Sequence, residues 1–453
     1  MKASNAQRSF GGIKSAVATA PGSAAEADRS GRLSVWIFVA WLSTGVVEGP
    51  LRGALAAADL PNILYVRDLV VVCAIALTFV APLFRKAGPP PGLAFMAGIL
   101  ILHLCIGIFL SGTFFGPFFG LKIFLAMMYT IAISPAIIKH FRLFVRAMMV
   151  FFVISTAGVY ANFFVGEWPW EGFSYATVFG TVQTTKKWWM EGGIVRLAGL
   201  SRTSFDAAMI IGVTGVILLS TAKSKRLRFA IAALAIGAIL LTTSKAMVLA
   251  FGVASLWLVA ANRTPGSFKV GRLLCIVLFL LTCVVPTVFM VVSVQESPVD
   301  SPPALLLSLW DRFSWMWPSA YALLPDRFGA LTGAGLGGIG TPLGELLSVP
   351  NTADNVFVYY YVNFGLVGLA YLAFPLVAVL SRKGVEDRQS FVWLGLLVIA
   401  YGYGLTTNMI EQPFFTSVFG LIYAKAFQIC FQRRAFAIPK PWIGQPLLSG
   451  KKR

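Results

Sequence analysis

The sequence predicts an all-α integral membrane protein with about twelve transmembrane helices. Of its 453 residues, 57% are hydrophobic and only 12% are charged, and the mean hydropathy is +0.79. This composition excludes an ordinary soluble domain. Apolar runs of roughly 20 residues, the length that crosses a bilayer, recur between residues 33 and 432. We therefore expect one membrane domain, 33–432, between a disordered cytoplasmic tail, 1–32, and a basic cytoplasmic tail, 433–453.

The charge distribution predicts how the chain is oriented. There are 37 Lys and Arg residues against 18 Asp and Glu, a net charge of +19. In a soluble protein this excess would suggest nucleic acid as a partner. Here most basic residues fall in every second connecting segment, as at 223–228 and 263–272. The positive-inside rule then places both termini and these loops in the cytoplasm, so no nucleic-acid partner is predicted.

The metal-ligating residue types are poorly placed for a metal site. All five cysteines lie within or at the edge of apolar runs, without metal-ligand spacing. Of the two histidines, His103 falls within a predicted span and His140 in a cytoplasmic loop. We therefore expect neither a metal nor another cofactor.

The first half of the chain contains six predicted spans. An outer segment between the first two spans is rich in charge, and the next two spans meet outside near 111–117. The fifth span leads to an outer loop at about 166–201, and the sixth, near 204–221, returns to the cytoplasm. The charged residues of the first outer segment are Glu48, Arg52, Asp59, Arg67 and Asp68.

The second half begins with an apolar hairpin at about 230–260, whose outer tip carries Lys245. A lysine there either contacts an anion or caps a helix end. The longest outer loop, about 295–353, follows span nine, and its aromatic residues predict interfacial helices. Asp354 and Asn355 open span ten, and spans eleven and twelve enclose an outer turn that contains Glu411.

Five cations are predicted to lie outside, near the bilayer surface. Arginine offers a permanently charged planar fork that suits phosphate oxygens. Together these cations predict a cradle for a lipid-linked diphosphate, although each could instead be snorkelling from a helix end. They are Arg196, Arg202, Lys245, Arg312 and Arg327.

Two carboxylates on the same outer face are candidate general bases. Asp354 stands at the start of span ten, where it could take a proton from an acceptor hydroxyl or could serve only as a helix cap. Glu411 is the second candidate. Asn355, beside Asp354, is a candidate substrate-binding residue.

A Gly-rich loop, residues 333–340, contains the spacing G-x-G-x-x-G at Gly333, Gly335 and Gly338. This spacing marks a dinucleotide site only between a strand and a helix, and neither is predicted here. We interpret the segment as a flexible outer loop that can pack its backbone against a ligand.

The order of these features resembles the superfamily of O-antigen ligases and Wzy-type polysaccharide polymerases, across roughly residues 60–430. Arg196-Leu197-Ala198-Gly199 precedes span six, Thr243-Ser244-Lys245 forms the hairpin tip, and Arg312 and the Gly-rich loop precede Asp354-Asn355. The resemblance implies a GT-C-like fold in a bacterial inner membrane. It also implies metal-independent glycosyl transfer from an undecaprenyl diphosphate carrier at the periplasmic face, with outward arginines holding the diphosphate.

Ligases of this superfamily typically have a histidine where this chain has Asp354, which favours a repeat-unit polymerase. The expected reaction moves the growing glycan from its carrier to a new lipid-linked repeat unit, as in O-antigen or exopolysaccharide synthesis. Partners would be the lipid-linked donor and acceptor, membrane lipid and a chain-length regulator. The alternatives are a ligase acting on a lipid A-core acceptor and a transporter or flippase of lipid-linked glycan.

Overall fold

The computed structural model describes residues 21–84, 90–172, 174–176, 182–184, 190–191, 194–261, 264–291, 307–325, 328–343, 354–381 and 388–437. These residues form helices around one apolar core, together with four strands of two or three residues. The predicted binding residue Arg327 lies outside the described residues. The helices are α1 Pro21–Val46, α2 Glu48–Ala57, a 3₁₀-helix Pro61–Tyr65, α3 Val66–Phe84, α4 Pro91–Ser111, α5 Phe115–Lys139, α6 Phe141–Val165, α7 Ser204–Thr221, α8 Lys225–Leu241, α9 Lys245–Ala260, α10 Pro265–Val291, α11 Leu307–Asp311, a π-helical turn Arg312–Met316, α12 Trp317–Tyr321, α13 Gly329–Thr332, α14 Val356–Phe364, α15 Leu366–Leu380, α16 Arg388–Gly404 and α17 Pro413–Ala437.

Within the described residues, seven helices are long and apolar enough to cross a membrane, or eight if the bent pair α1 and α2 is one span. Three further apolar helices, including α9 and α15, are shorter. A helix of about 16 residues is about 24 Å long, which is less than the roughly 30 Å of hydrocarbon in a bilayer. The chain therefore has the helices of a multi-pass membrane protein, and the count of twelve spans stays a prediction.

Two predicted helices depart from their predicted shape. The first begins at Pro21, before the predicted start of the membrane domain at residue 33. It bends by 80° where α1 meets α2. Predicted span ten is broken into α14 and α15 at Gly365, which has φ +59, and a β-carbon there would overlap the Leu331 carbonyl. Only glycine combines that backbone conformation with such a close approach.

The four strands form two antiparallel pairs within the predicted outer loop 166–201. One pair joins Ser174–Ala176 to Val182–Thr184, and the other joins Met190–Glu191 to Ile194–Val195. The second pair leads directly into the turn before α7.

The core lies where α5 packs against α17 and where α7 packs against α6, α8, α9 and α16. Helix α7 is buried along almost its whole length. Buried tyrosines contribute to the core, and the rings of Tyr371 and Tyr423 stack at 4.4 Å. Since α7 and α17 are enclosed by other helices, side chains at their first turns face the protein rather than lipid.

Helix ends that were predicted to share a membrane face do meet in space. At one end of the bundle, the Gly49 N–H donates to the Leu200 carbonyl at 3.0 Å. At the other end, Lys139 pairs with Asp28 at 3.0 Å, and buried Arg228 donates to the Ala261 carbonyl at 2.8 Å. We call the first of these the Gly49 end. It contains the described residues that the sequence analysis placed outside.

The Gly-rich loop is packed against protein backbone, contrary to the prediction that it packs against a ligand. The Ala334 N–H donates to the Val362 carbonyl at 2.7 Å, and the Leu336 N–H donates to the backbone carbonyl of His103 at 2.9 Å. Gly335 and Gly337 lie so close to α4 and α5 that a β-carbon at either would overlap neighbouring backbone. The glycines therefore let the loop wedge between α4, α5 and α14.

Residues 307–321, from the long loop, form a helix interrupted by the π-helical turn. Phe313 stacks on Phe289 of α10 with ring centroids 3.9 Å apart, and Trp317 is fully buried. Trp310 and Trp315 are exposed. This packing fixes Arg312 at the Gly49 end of the bundle.

Candidate functional site

A cavity of about 240 Å³ opens at the Gly49 end, and we call it the charged cavity. Its wall combines apolar side chains with side chains of both charges. They are contributed by α1, α2, the 3₁₀-helix, α3, α5, the turn before α7 and its first turn, Thr341 and the turn before α17. The charged residues in the wall are Arg52, Arg67, Lys122, Arg202, Glu48, Asp68, Asp206 and Glu411.

The sharp bend after α1 positions the first part of the wall. Glu48 begins α2 and Arg52 follows one turn later, so the two side chains meet, with Arg52 Nε donating to Glu48 Oε1 at 2.7 Å. Arg67 stands in the first turn of α3, with its Nη1 3.9 Å from the second oxygen of Glu48. Among the described residues, Arg67 Nε has no hydrogen-bond partner.

Helix α5 carries Lys122 two turns after its start. The Lys122 ammonium lies 2.8 Å from Asp68 Oδ2 and above the ring of Tyr65, 4.8 Å from its centroid. An opposite charge and an aromatic face together hold the lysine at the edge of the cavity. This ion pair joins α3 to α5.

The turn before α7 carries Arg202. It is anchored by Asn162 of α6, whose Oδ1 accepts the Gly199 N–H at 3.1 Å. Thr203 caps α7, because its Oγ1 accepts the Asp206 N–H at 3.0 Å. The Arg202 guanidinium is close enough to Glu48 and Asp206 to interact with both charges.

Glu411 forms the part of the wall nearest the Gly-rich loop. One of its oxygens accepts the Thr341 N–H at 2.8 Å, and the other accepts the Thr341 hydroxyl at 2.5 Å. Gly340, which precedes this threonine, has φ +87, and a β-carbon there would overlap Glu411 Oε1. The loop thus holds the carboxylate of the predicted base in a fixed position.

Asp354, the other predicted base, is not in the wall of the charged cavity. Its Oδ2 pairs with Arg312 Nη2 at 2.9 Å, and we call these two residues the Arg312–Asp354 pair. Arg312 Nε also donates to the Thr406 carbonyl at 3.0 Å, and its Nη1 donates to the Ser308 carbonyl. Burial raises the pKa of Asp354 above its ordinary value, while the guanidinium opposes this shift.

Asn355 is fully buried, with 0% of its surface exposed. Its Oδ1 caps α14 by accepting the Val358 N–H at 2.9 Å. Its Nδ2 donates to the carbonyls of Thr282 at 3.2 Å and Leu405 at 2.8 Å. These bonds join α10, α14 and α16, so the residue predicted to bind substrate holds helices together.

Besides Arg312, two of the predicted cations lie apart from the cavity wall. Arg196 stacks on the ring of Phe205, 5.2 Å from its centroid. Lys245 is exposed at the tip of the α8–α9 hairpin, next to Thr243, whose φ of +57 is unusual for a β-branched residue. Of the predicted binding residues that the structure describes, only Arg202 lies in the wall, where the predicted base Glu411 also lies.

Five residues of the cavity wall had no predicted role in the site: Glu48, Arg52, Arg67, Lys122 and Asp206. The sequence places the first three in the charged outer segment between the first two predicted spans. The alternation of the spans could have grouped them, because the starts of every second span lie on the same face of the membrane. Each of these residues is within two turns of such an end.

No group of His, Cys, Asp and Glu side chains among the described residues could hold a metal ion. The chain matches no protein-family model, and it matches no curated protein. The geometry and charges of the site are therefore the basis for inferring its function.

Proposed function

We propose that this protein polymerises lipid-linked oligosaccharide repeat units into polysaccharide at the periplasmic face of a bacterial inner membrane. The growing glycan would move from undecaprenyl diphosphate to a new lipid-linked repeat unit, without a metal. The GT-C-like architecture of about twelve spans belongs to this proposal. The observation that carries it is the charged cavity, in which four cations from four separate elements face one space.

The cations of the cavity suit a diphosphate. Three are arginines, which can form two parallel hydrogen bonds to phosphate oxygens. The four carboxyl groups in the wall balance their formal charge before a ligand enters. A bound diphosphate would therefore replace the carboxylates as the partner of the cations. Arg67 Nε lies 3.6 Å from Asp68 Oδ1 but makes no hydrogen bond among the described residues, so it could donate one to the ligand. The same cations would stabilise the departing diphosphate as its charge develops.

The apolar part of the wall suits the carrier lipid. Leu64, Val71, Phe119 and Ile123 line the cavity beside the Lys122–Asp68 ion pair. On the outer surface of the same helices, Val66, Leu69 and Phe118 are exposed. A ligand with an anionic head and an isoprenoid tail would satisfy both parts of this wall.

A polymerase is favoured over a ligase because Asp354 occupies the position where the ligases of the resembled superfamily have histidine. A transporter or flippase is the second candidate. Charged side chains at the first turns of enclosed helices are also typical of ion and substrate pathways. The two functions differ in whether a glycosidic bond forms.

The test uses the purified full-length protein in nanodiscs. Its substrate is lipid-linked oligosaccharide extracted from host cells that lack the protein. We expect a ladder of lengthened glycans and released undecaprenyl diphosphate, in the presence of a metal chelator and without an ion gradient. Arg202→Ala should lower the rate about tenfold to a hundredfold, since a charge-assisted hydrogen bond contributes about 1.5–3 kcal/mol.

The matched control is Arg146→Ala, the same change at an exposed position toward the other end of the bundle, and it should leave the ladder unchanged. Movement of lipid-linked oligosaccharide across a vesicle membrane without new glycosidic bonds would contradict the polymerase and support the flippase. A ladder that Arg202→Ala leaves intact would contradict the assignment of the cavity.

A further inference from the structure

We propose that Asp206 accepts the proton of the acceptor hydroxyl during glycosyl transfer. This inference rests on the proposed function and adds to it the group that performs general-base catalysis. Asp206 lies in the wall of the charged cavity and also lines a smaller cavity beside it, whose wall includes Thr44, Gln412 and Phe414. It thus stands where the turn before α17 approaches the first turn of α7.

Asp206 is well buried but incompletely bonded. Its side chain is at least nine-tenths buried, and its Oδ1 has no hydrogen-bond partner among the described residues. A buried carboxylate oxygen without a partner is costly, and such groups are often explained by catalysis or by a missing ligand. A hydroxyl group of an acceptor sugar would supply the missing donor.

The other two carboxylates considered as bases are occupied. Both oxygens of Glu411 accept hydrogen bonds from Thr341. Asp354 is paired with Arg312 and is not in the cavity wall. A general base must reach the proton that it abstracts at hydrogen-bond distance. Of these three groups, Asp206 alone combines a place in the cavity wall with an unpartnered oxygen.

The neighbours of Asp206 suit a proton acceptor next to a leaving diphosphate. Glu48 of α2, Arg202 of the preceding turn and Tyr403 of α16 all interact with its charge. Arg67 of α3 lines the same two cavities. The cations that would hold the diphosphate are thus next to the carboxylate.

The chemical step is balanced as follows. The acceptor oxygen forms a bond to the anomeric carbon of the donor while its proton passes to Asp206 Oδ1. The bond between that carbon and the phosphate oxygen breaks, and its electron pair leaves with the diphosphate. Asp206 then releases the proton to water, which restores the carboxylate. No oxidant, reductant or further reactant is needed.

Asp206 also has a structural role, as part of the N-terminal cap of α7. It occupies the third position of α7, and the backbone of Thr203 hydrogen-bonds to its carboxylate, as in a capping box. An asparagine at this position can accept the same hydrogen bond but cannot take a proton. Asp206→Asn therefore separates the two roles.

The experiment measures polymerisation by the nanodisc-embedded protein, with the same extracted lipid-linked oligosaccharide. For Asp206→Asn we expect kcat to fall at least about a hundredfold, the lower range for general-base catalysis, with KM within about twofold and little change in Tm. For Asp206→Glu we expect partial activity and a displaced acid limb in the pH profile of kcat. The control is Asp59→Asn, at an exposed site outside the cavity wall, where φ is +61 and asparagine is tolerated.

Two results would overturn this inference while leaving the proposed function intact, provided that the wild-type protein makes polymer. One is that Asp206→Asn keeps more than a tenth of the wild-type kcat. The other is that the pH profile of kcat for Asp206→Glu is the same as that of the wild type. The second measurement remains informative if Asp206→Asn fails to fold. If wild-type protein forms no glycosidic bond, the proposed function is wrong, and the assignment of Asp206 is rejected with it.

Discussion

The charged cavity and the Arg312–Asp354 pair occupy the same end of the bundle and contain the same residue types, yet they are built differently. In the cavity, charges from several elements share partners around an open space. Arg67 Nε lies 3.6 Å from Asp68 Oδ1 but donates no hydrogen bond among the described residues. In the pair, the guanidinium donates to Asp354, Thr406 and Ser308. Tyr403 lies close enough to interact with both Asp206 and Asp354, so the two regions are neighbours.

This difference separates charges that can bind a ligand from charges that hold the fold. A saturated guanidinium must break existing hydrogen bonds before it can bind phosphate, and the buried partners that it leaves are then unsatisfied. A guanidinium with an unused donor beside a cavity has a smaller penalty. Sequence position alone does not distinguish these cases, because both kinds of arginine lie at the outer ends of predicted spans.

The largest expected effect is on diphosphate binding. Arg67→Ala should weaken the binding of farnesyl diphosphate to the detergent-solubilised protein about tenfold to a hundredfold, because one charge-assisted hydrogen bond contributes about 1.5–3 kcal/mol. Arg312→Ala should instead lower Tm, with a smaller change in affinity. Isothermal titration calorimetry and thermal unfolding measure the two quantities. Equal losses of affinity in both variants would show that the pair also belongs to the binding site.

The second expected effect is on stability, and it concerns Asn355, a polar residue that holds helices together. Asn355→Ala should reduce the free energy of unfolding by at least about 2 kcal/mol, because it removes a helix cap and leaves the carbonyls of Thr282 and Leu405 without their donor. Asn355→Ser keeps a capping oxygen and should be intermediate in thermal unfolding. A variant with unchanged Tm and impaired polymerisation would restore the predicted role of Asn355 in substrate binding.

The third effect concerns the support of the cavity wall. Gly340→Ala should destabilise the protein by more than about 1 kcal/mol and displace Glu411, since the position has positive φ and no room for a β-carbon. Gly98→Ala is the matched control, because a β-carbon there meets no atom within 4 Å. Thermal unfolding of the two variants gives the comparison. Equal Tm values would mean that the Gly-rich loop can move away from Glu411 at little cost.

The helical fold and the apolar core could be predicted from the sequence because apolar runs and their charged boundaries are local signals. The clustering of Asp28 with Lys139, and of Arg202 with Glu48, follows from helix alternation. The break at Gly365 could not be predicted, because it depends on the approach of Leu331 from a distant segment. For the same reason, the Gly-rich loop was assigned to a ligand when its neighbours are α4, α5 and α14.

The candidate site was predicted only in part. Arg202 and Glu411 lie in the cavity wall, whereas Asp354 and Arg312 form their own pair. Asp206 could not be predicted as a site residue, because its position, three residues after a threonine at a helix start, is also typical of a capping box. Whether such a residue has an unpartnered oxygen depends on tertiary packing, which the sequence of α7 alone does not contain.

The smallest effect is a pH dependence that tests whether burial or ion pairing dominates at Asp354. Burial raises the pKa of Asp354 in the folded protein, so the folded state holds the proton more tightly than the unfolded chain does. The contribution of Asp354 to stability should then be full below its unfolded pKa, near 4, and should decline as pH rises through the folded pKa. Asp354→Asn does not titrate, so its Tm relative to wild type should increase over that pH range, with Asp59→Asn as the control. A relative Tm that falls as pH rises would mean that attraction to Arg312 outweighs burial, which would make the ionised pair the stabilising form.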